Sequence, residues 1–457
     1  MTKCLNEELE TEATAMVRGK RTSSHRAMVT NGSTATESLQ RSALKDLEPR
    51  ISTLHMHEFP KNTGLFICGD VMVCILSALP VRSIVRFKRV SKSWKQLLSS
   101  PFFIQFHYLK PPSSSDPSAI LTLRNRLFSF SLSELEACSK VPMRELMFGR
   151  ASEEEGKQQL FVRLSASSHG LVCFIASTVL GYSLTFCVCN PMTREFFTHP
   201  RLRIRDPGKQ LVLKGFGFQF DPHNQTFKIL LCAMICGMAY SLPIEIQYHL
   251  FDSSTRLWKR VLDPPLDSGY PISPCDATYL CTGGACYEVF INNHFRRSVA
   301  IFDMDKEVWE IIALPLQVAE TLSRLSASEA ISCKLVSWRK KVCFIHAFGN
   351  GKLGIWSLSE EKKWKQVTIE ADVGNFTFLQ SRGRNVRPGM DVILQQHALL
   401  VSKKKARGLE IYLHKDFKKS GGVKKIKWPY GEENDSFINI IPYEPSLFSC
   451  KFLLHNN

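Results

Sequence analysis

The 457-residue chain has no Cys-x-x-Cys pair, although it contains 15 cysteines. The closest pairs, Cys187/Cys189, Cys232/Cys236 and Cys281/Cys286, have no matching second pair or histidine set, so no zinc site is expected. An odd count at irregular spacing argues against a secreted disulfide framework. It points to reduced thiols in a protein of the cytoplasm, the nucleus or both. The N-terminal stretch lacks the apolar core of a signal peptide. There is no Gly-x-Ser-x-Gly elbow, no P-loop, no Gly-x-Gly-x-x-Gly opening a helix and no His-Glu-x-x-His. His55 and His57 have no third ligand nearby, and Gly215-Phe216-Gly217 reads as a strand. An enzyme is thus the weakest reading, and no catalytic residue, cofactor or metal is expected. Residues 171–189 carry no charge, but Ser177, Thr178, Gly181, Ser183 and Thr185 interrupt them. Two strands turning near Gly181 fit better than a membrane span.

What is present is ordinary globular composition, with 44% hydrophobic and 22% charged residues. The length implies two or three folded units. A net charge of +17 favours acidic partners: an acidic protein surface, nucleic acid or anionic lipid. Residues 1–60 are rich in Ser, Thr, Glu, Lys and Arg and cannot offset the entropy of ordering, so they are expected to be disordered.

Residues 64–110 change to helical spacing. Val71, Ile75 and Leu79 fall at i, i+4, i+8, Ile84 and Val85 form a second short turn, and Trp94, Leu97 and Leu98 fall at i, i+3, i+4. Pro80 divides the first helix from the second, Ser91 is a candidate N-cap for the third, and Pro101 marks its end. Three short helices make too small a core to stand alone, so apolar surface must be left for a partner. Residues 71–115 contain no Asp or Glu but carry Arg82, Arg86, Lys88, Arg89, Lys92, Lys95 and Lys110. An apolar ridge with a basic rim suits an acidic partner.

Residues 111–118 read as a linker, and residues 119–457 switch to period-two apolar runs between turns. A strand–turn–Trp pattern recurs at Trp258, Trp309 and Trp364, spaced 51 and 55 residues apart, with Phe196 in the same place of a weaker copy. Spacing near 50 matches a kelch-type propeller blade. Each such blade cannot cover both faces alone, and the Trp fills the gap to its neighbour. About six blades fit the length, with residues 437–453 pairing back to the first blade. The fold class is therefore α+β multidomain: a small three-helix unit followed by an all-β, kelch-like propeller.

Leu79-Pro80-Val81-Arg82-Ser83, Arg86-Phe87-Lys88-Arg89-Val90, Lys92-Ser93-Trp94 and Ser100-Pro101-Phe102-Phe103 resemble an F-box. Asn190-Pro191 with Thr193 and Arg194, Gly215-Phe216-Gly217-Phe218 before Asp221, Phe251-Asp252 and Trp258 resemble the F-box-associated, kelch-like domain of plant F-box proteins. The resemblance implies a substrate receptor of an SCF ubiquitin ligase, in which the F-box binds a Skp-family adaptor and through it a cullin. The second domain then recruits an unknown protein target, and the transferring cysteine belongs to another protein. The expected adaptor contacts are Val71, Ile75, Leu79, Pro80, Val81, Ile84 and Val85, while Trp94 and Leu98 hold the helices together. Ile67-Cys68-Gly69-Asp70 replaces the family's opening Leu-Pro and acidic residues, and Cys74 replaces a common Glu. Loss of the Pro implies a looser N-terminus for the first helix, and the departures together imply weaker adaptor affinity.

The rival to an adaptor is a nucleic-acid-binding or scaffold propeller. Lys403 to Lys405, Arg407, Lys415, Lys418, Lys419, Lys424, Lys425 and Lys427 interleave with Tyr412, Phe417 and Trp428, as single-strand binders do. Solvated loop tips around Gly408 and Gly421-Gly422 are the preferred account. A target-binding face is expected at Arg203, Arg205, Arg296, Arg297 and Arg384, in long polar inserts.

Overall fold

The computed structural model describes residues 69–109, 118–123, 126–137, 144–146, 160–178, 183–203, 209–237, 243–265, 277–291, 297–323, 333–338, 341–347, 352–372, 390–395, 398–405, 408–415, 423–427 and 438–450. Residues 1–60 and 111–117, with their expected disorder and linker, lie outside the described residues.

Among the described residues four helices come first: α1 (Gly69–Ser77), α2 (Val81–Phe87), α3 (Lys92–Leu98) and α4 (Pro101–Leu109). Pro80 separates α1 from α2 in an extended conformation, φ −59° and ψ 147°. Ser91 caps α3, its Oγ accepting the Trp94 N–H at 3.1 Å. The expected three helices become four because Pro101 starts a helix as well as ending one. A proline in the first turn forfeits no hydrogen bond. Ser100 completes that start, its Oγ accepting the Phe103 N–H at 3.2 Å.

The rest of the described chain is β-rich and forms six sheets. The first holds β1 (Ser118–Leu123), β2 (Arg126–Ser131) and β3 (Arg144–Leu146), with the last strand, β25 (Ile438–Tyr443), on its inner edge. The second runs β4 (Leu160–Ser168), β5 (Leu171–Thr178), β6 (Ser183–Asn190), β7 (Glu195–Arg203). The third has five strands: β8 (Lys209–Asp221), β9 (Thr226–Gly237), β10 (Pro243–Asp252), β11 (Leu257–Val261) and the short parallel β12 (Ala277–Thr278). The fourth runs β13 (Leu280–Thr282), β14 (Ala285–Ile291), β15 (Arg297–Asp303), β16 (Val308–Ala313). The fifth runs β17 (Cys333–Trp338), β18 (Lys341–Ala347), β19 (Lys352–Leu358), β20 (Trp364–Asp372), and the sixth β21 (Met390–Gln395), β22 (Ala398–Lys405), β23 (Gly408–Lys415), β24 (Val423–Lys427). The strands β25, β4, β8, β13, β17 and β21 touch one another in that order and return to β25. The sheets thus stand round an axis like propeller blades, and the C-terminal strand closes the ring by antiparallel pairing, Ser118 opposite Tyr443 through Leu123 opposite Ile438.

The uncharged run 171–189 forms β5 and β6, paired antiparallel. Among the described residues no helix is long and apolar enough to cross a membrane. Two short helices were not expected, α5 (Leu132–Ala137) and α6 (Leu316–Ser323). A capping box starts α5: Ser131 Oγ accepts the Glu134 N–H at 3.2 Å, and Glu134 Oε2 accepts the Ser131 N–H at 3.1 Å. The lysines expected at loop tips also differ. Lys403 to Lys405 lie in β22, where Lys405 pairs with Gly408, and Lys424, Lys425 and Lys427 lie in β24, paired with β23.

The tryptophans occupy equivalent outer-strand positions. Trp258 lies opposite Phe251, Trp309 opposite Phe302, and Phe196 opposite Cys189. The turn before each uses one left-handed residue: Arg194, Arg256, Glu307 and Lys362 all have φ of 58–59°. Trp258 packs on Phe186 of the second sheet at 4.8 Å, and Trp309 on Tyr248 of the third at 5.0 Å. Each thus fills the seam to the preceding sheet. Trp309 Nε1 donates to the Leu262 carbonyl at 2.7 Å and Trp364 Nε1 to the Ala313 carbonyl at 2.8 Å, so both also bond backward across the seam. Trp258 Nε1 is buried with no protein acceptor.

This contrast makes a prediction. Trp309→Phe and Trp364→Phe each lose a hydrogen bond worth about 1 kcal/mol. Trp258→Phe removes an unsatisfied donor and loses less. Urea unfolding of the three variants gives the order.

Candidate partner-docking site

Helix α1 splits its apolar residues between two faces. Val73 and Leu76 are 2% and 1% exposed, whereas Val71 and Ile75 are 50% and 37% exposed. The spacing of four puts Val71 and Ile75 on one side, a turn apart. Pro80 is exposed and Val85 half-buried. Leu79, Val81 and Ile84 are buried within the protein itself. As placed, these three pack inside the bundle and present little surface, unlike Val71, Ile75 and Pro80 of the same expected list. Leu98 is fully buried and Trp94 meets Phe87 edge-on at 5.7 Å, as residues holding the helices together do. Val90, which was not on that list, is 42% exposed.

Of the basic rim, Arg86, Arg89, Lys92 and Lys95 are exposed. Arg82 lies 3.8 Å from Glu134 of α5, and Lys88 is half-buried with Glu195 nearby. Burial lowers the Lys88 pKa, and Glu195 partly opposes it.

Helix α4 mounts this bundle on the propeller. Ile104 and Tyr108 pack against the core shared by the second and third sheets. Tyr108 Oη shares a hydrogen bond of 3.1 Å with His169 Nδ1, and Gln105 Nε2 lies 3.4 Å from His223 Nδ1. Burial pushes the Tyr108 hydroxyl up to about 12, with Glu444 and Asp221 adding to it. His107 faces back into the bundle, its Nε2–H donating to the Leu79 carbonyl at 3.0 Å.

The chain beyond β25 completes the mount. Asn190 Nδ2 donates to the carbonyls of Ser446 and Phe448 at 3.0 and 2.6 Å, while its Oδ1 accepts the Met192 N–H at 2.8 Å. Glu195 Oε2 accepts Ser449 Oγ at 2.5 Å and the Cys450 N–H at 3.0 Å. Phe448 is thereby wedged between Phe220 at 5.0 Å and Tyr108 at 5.3 Å. Gly170 admits this segment: its φ is +79°, and a Cβ there would lie 2.3 Å from Ser446 Oγ. Tyr108, Phe448 and Glu195 were not singled out from the sequence. Asn190 was, as part of Asn190-Pro191, and that motif now proves to grip the C-terminal segment.

Two of the five expected target-binding arginines are among the described residues. Arg203 and Arg297 lie at strand ends, and Arg205, Arg296 and Arg384 lie outside the described residues. Among the described residues no group of His, Cys, Asp and Glu could hold a metal ion. Cys281 and Cys286 are disulfide-bonded, so the expectation of reduced thiols fails for this pair.

A compact helical module with an exposed apolar face is thus fixed to a ring of sheets. Comparison with known proteins agrees: residues 67–106 match the F-box domain, and residues 119–390 match the F-box associated beta propeller domain. The chain belongs to the F-box-associated β-propeller family of F-box proteins. It is 27% identical over 320 residues to the Putative F-box protein At4g09190 of Arabidopsis thaliana, covering 68% of this chain and 73% of that protein. It is 27% identical to the Arabidopsis thaliana F-box protein At5g18160, covering 65% and 68% of the two chains. Among solved structures, TolB from Acinetobacter baumannii aligns at TM-score 0.42 and 10% identity, covering 75% of this chain and 70% of that one. F-box domains generally bind a Skp-family adaptor and thereby a cullin, and receptors of this family are generally non-catalytic.

Buried His107 gives the helical module a pH dependence. Burial lowers its pKa below the ordinary 6.5, and the bond to the Leu79 carbonyl partly opposes this. Below that pH the unfolded ring takes up a proton that the folded ring refuses. Stability is therefore full above about 6.5 and falls as the pH drops toward the folded value, by up to about 1.4 kcal/mol per unit. Urea midpoints at pH 7.5 and 5.5 measure this loss, and His107→Gln reduces its slope.

Proposed function

We propose that the chain is the substrate-recognition subunit of an SCF ubiquitin ligase. Its F-box binds a Skp-family adaptor, and its propeller holds a protein target for ubiquitination. The observation that carries this reading is the exposure of Val71 and Ile75 on a helix whose other face is packed. An apolar pair left open in a bundle with exposed Arg86, Arg89, Lys92 and Lys95 suits an acidic partner with a complementary groove. Burial of the pair supplies affinity, and the basic rim raises the encounter rate. The receptor's own task is geometric: to hold two proteins at a fixed separation. The mount of α4 on the propeller supports that task, because a receptor hinged freely at this point would scatter the target's position.

Val71→Glu combined with Ile75→Glu reduces co-precipitation of the adaptor at least tenfold. The unfolding midpoint stays near that of the parent, because both residues are already exposed. Ile84→Ala does the opposite first: it costs about 2–5 kcal/mol of stability by opening a cavity. Undiminished adaptor capture by the double Glu variant would rule out the assignment.

A further inference from the structure

We infer that Cys281 and Cys286 form a reversible thiol–disulfide exchange site for a small thiol of the glutathione class, built into the seam between the third and fourth sheets. The hairpin itself brings the sulfurs together. Gly283 and Gly284 form its turn with φ of +60° and +84°, and the register sets Cys281 directly opposite Cys286. Backbone pairing therefore holds the two side chains adjacent whether or not they are bonded. The stabilising effect of a cross-link grows with the loop it closes, and this loop is very short. The bond adds little to the fold, so its reversible chemistry is its distinguishing property.

Access is one-sided. Cys281 is half-buried, whereas Cys286 is buried. The other described thiols fall in two groups: Cys173, Cys187, Cys189, Cys232, Cys343 and Cys450 are buried, and Cys74 is half-buried on α1. A glutathione thiolate attacks Cys281 Sγ. The S–S bond breaks, its electron pair leaves on Cys286 Sγ, and that sulfur takes a proton. A second glutathione then attacks the mixed disulfide at the glutathione sulfur. This releases the Cys281 thiol and one molecule of glutathione disulfide. Two glutathione molecules are oxidised as one protein disulfide is reduced.

The neighbouring sheet feels the change. A Cβ on Gly217 of β8 would lie 2.4 Å from Cys281 Sγ and 2.5 Å from Cys286 Sγ, so both sulfurs rest on the bare backbone of that inner strand. Non-bonded heavy atoms settle on the order of 3.5–4 Å apart, so reduction spreads the pair against a contact with no slack. Cys286 shares its core with Cys232, Tyr248, Tyr279 and Phe302, with Trp309 packed against it. The redox state of the hairpin is thus transmitted to the packing between two blades.

The test equilibrates the full chain in glutathione buffers from fully reduced to fully oxidised. Each sample is acid-quenched, denatured and labelled with N-ethylmaleimide, and its peptides are weighed. The expected result is a linked pair that gains two labels as the buffer becomes reducing and loses them on re-oxidation. A pair that carries two labels in every buffer, or stays linked in every buffer, overturns the proposal. Hydrogen exchange of β8 reads the transmission: it is several-fold faster in the reduced chain, and Cys281→Ser with Cys286→Ser keeps the faster rate in all buffers. Equal β8 exchange in the two redox states refutes the transmission. Should the double variant not fold, the parent chain in the two limiting buffers supplies the same comparison.

Discussion

Phe448 sits where three parts of the chain meet: the docking helices through Tyr108, the third sheet through Phe220, and the second sheet through the hydrogen bonds of Asn190 and Glu195. The four helices before it are short, and their shared core is small. Such a unit gains much of its stability from what it packs on. Its fourth helix turns one flank to the propeller, where Ile104 and Tyr108 reach the Phe-rich core. The same peptide that closes the ring as β25 runs on to press Phe448 against that helix. Ring closure and mounting of the F-box are therefore consecutive acts of one C-terminal segment.

That arrangement ties the packing of helix α4 to closure of the ring. Pairing β1 with β25 joins residues more than three hundred positions apart, a long-range contact that is costly to form and slow to find. The other seams are local by comparison. Trp309 and Trp364 each bond to the sheet just before them, and ion pairs such as Lys228 to Asp305 at 2.8 Å follow the same neighbour-to-neighbour rule. Exposed pairs of that kind contribute little singly. Aromatic burial adds to two of these seams, where Phe186 and Tyr248 each receive a tryptophan from the following sheet.

Much of this was legible in the sequence, for identifiable reasons. Pro80 acts through its fixed backbone and Ser91 through its capping hydroxyl, both local effects, so the helix boundaries they set do not depend on the fold. The Trp hairpins repeat because Trp258, Trp309 and Trp364 each reach back to the sheet before their own. Three of the seven expected contacts, Leu79, Val81 and Ile84, proved buried because helical periodicity tells which residues share a face, not which face is covered. Helix α4 was missed because Pro101 was read only as a stop, although Ser100-Pro101 is equally a cap followed by a first turn. Helix α5 carried a sign of its own in Ser131-Leu132-Ser133-Glu134. The disulfide was hidden in plain composition. Cys281-Thr282-Gly283-Gly284-Ala285-Cys286 places two cysteines opposite each other only once the Gly-Gly turn is recognised as the tip of a hairpin.

The central claim is that the C-terminal segment after β25 holds helix α4 on the propeller. Hydrogen exchange of residues 101–109 tests it most directly, comparing the full chain with one ending at Tyr443, which keeps the closing strand but loses the wedge. The account predicts that α4 exchanges at least tenfold faster in the shortened chain while β5 and β6 keep their protection. Unchanged protection of α4 in the shortened chain would contradict it.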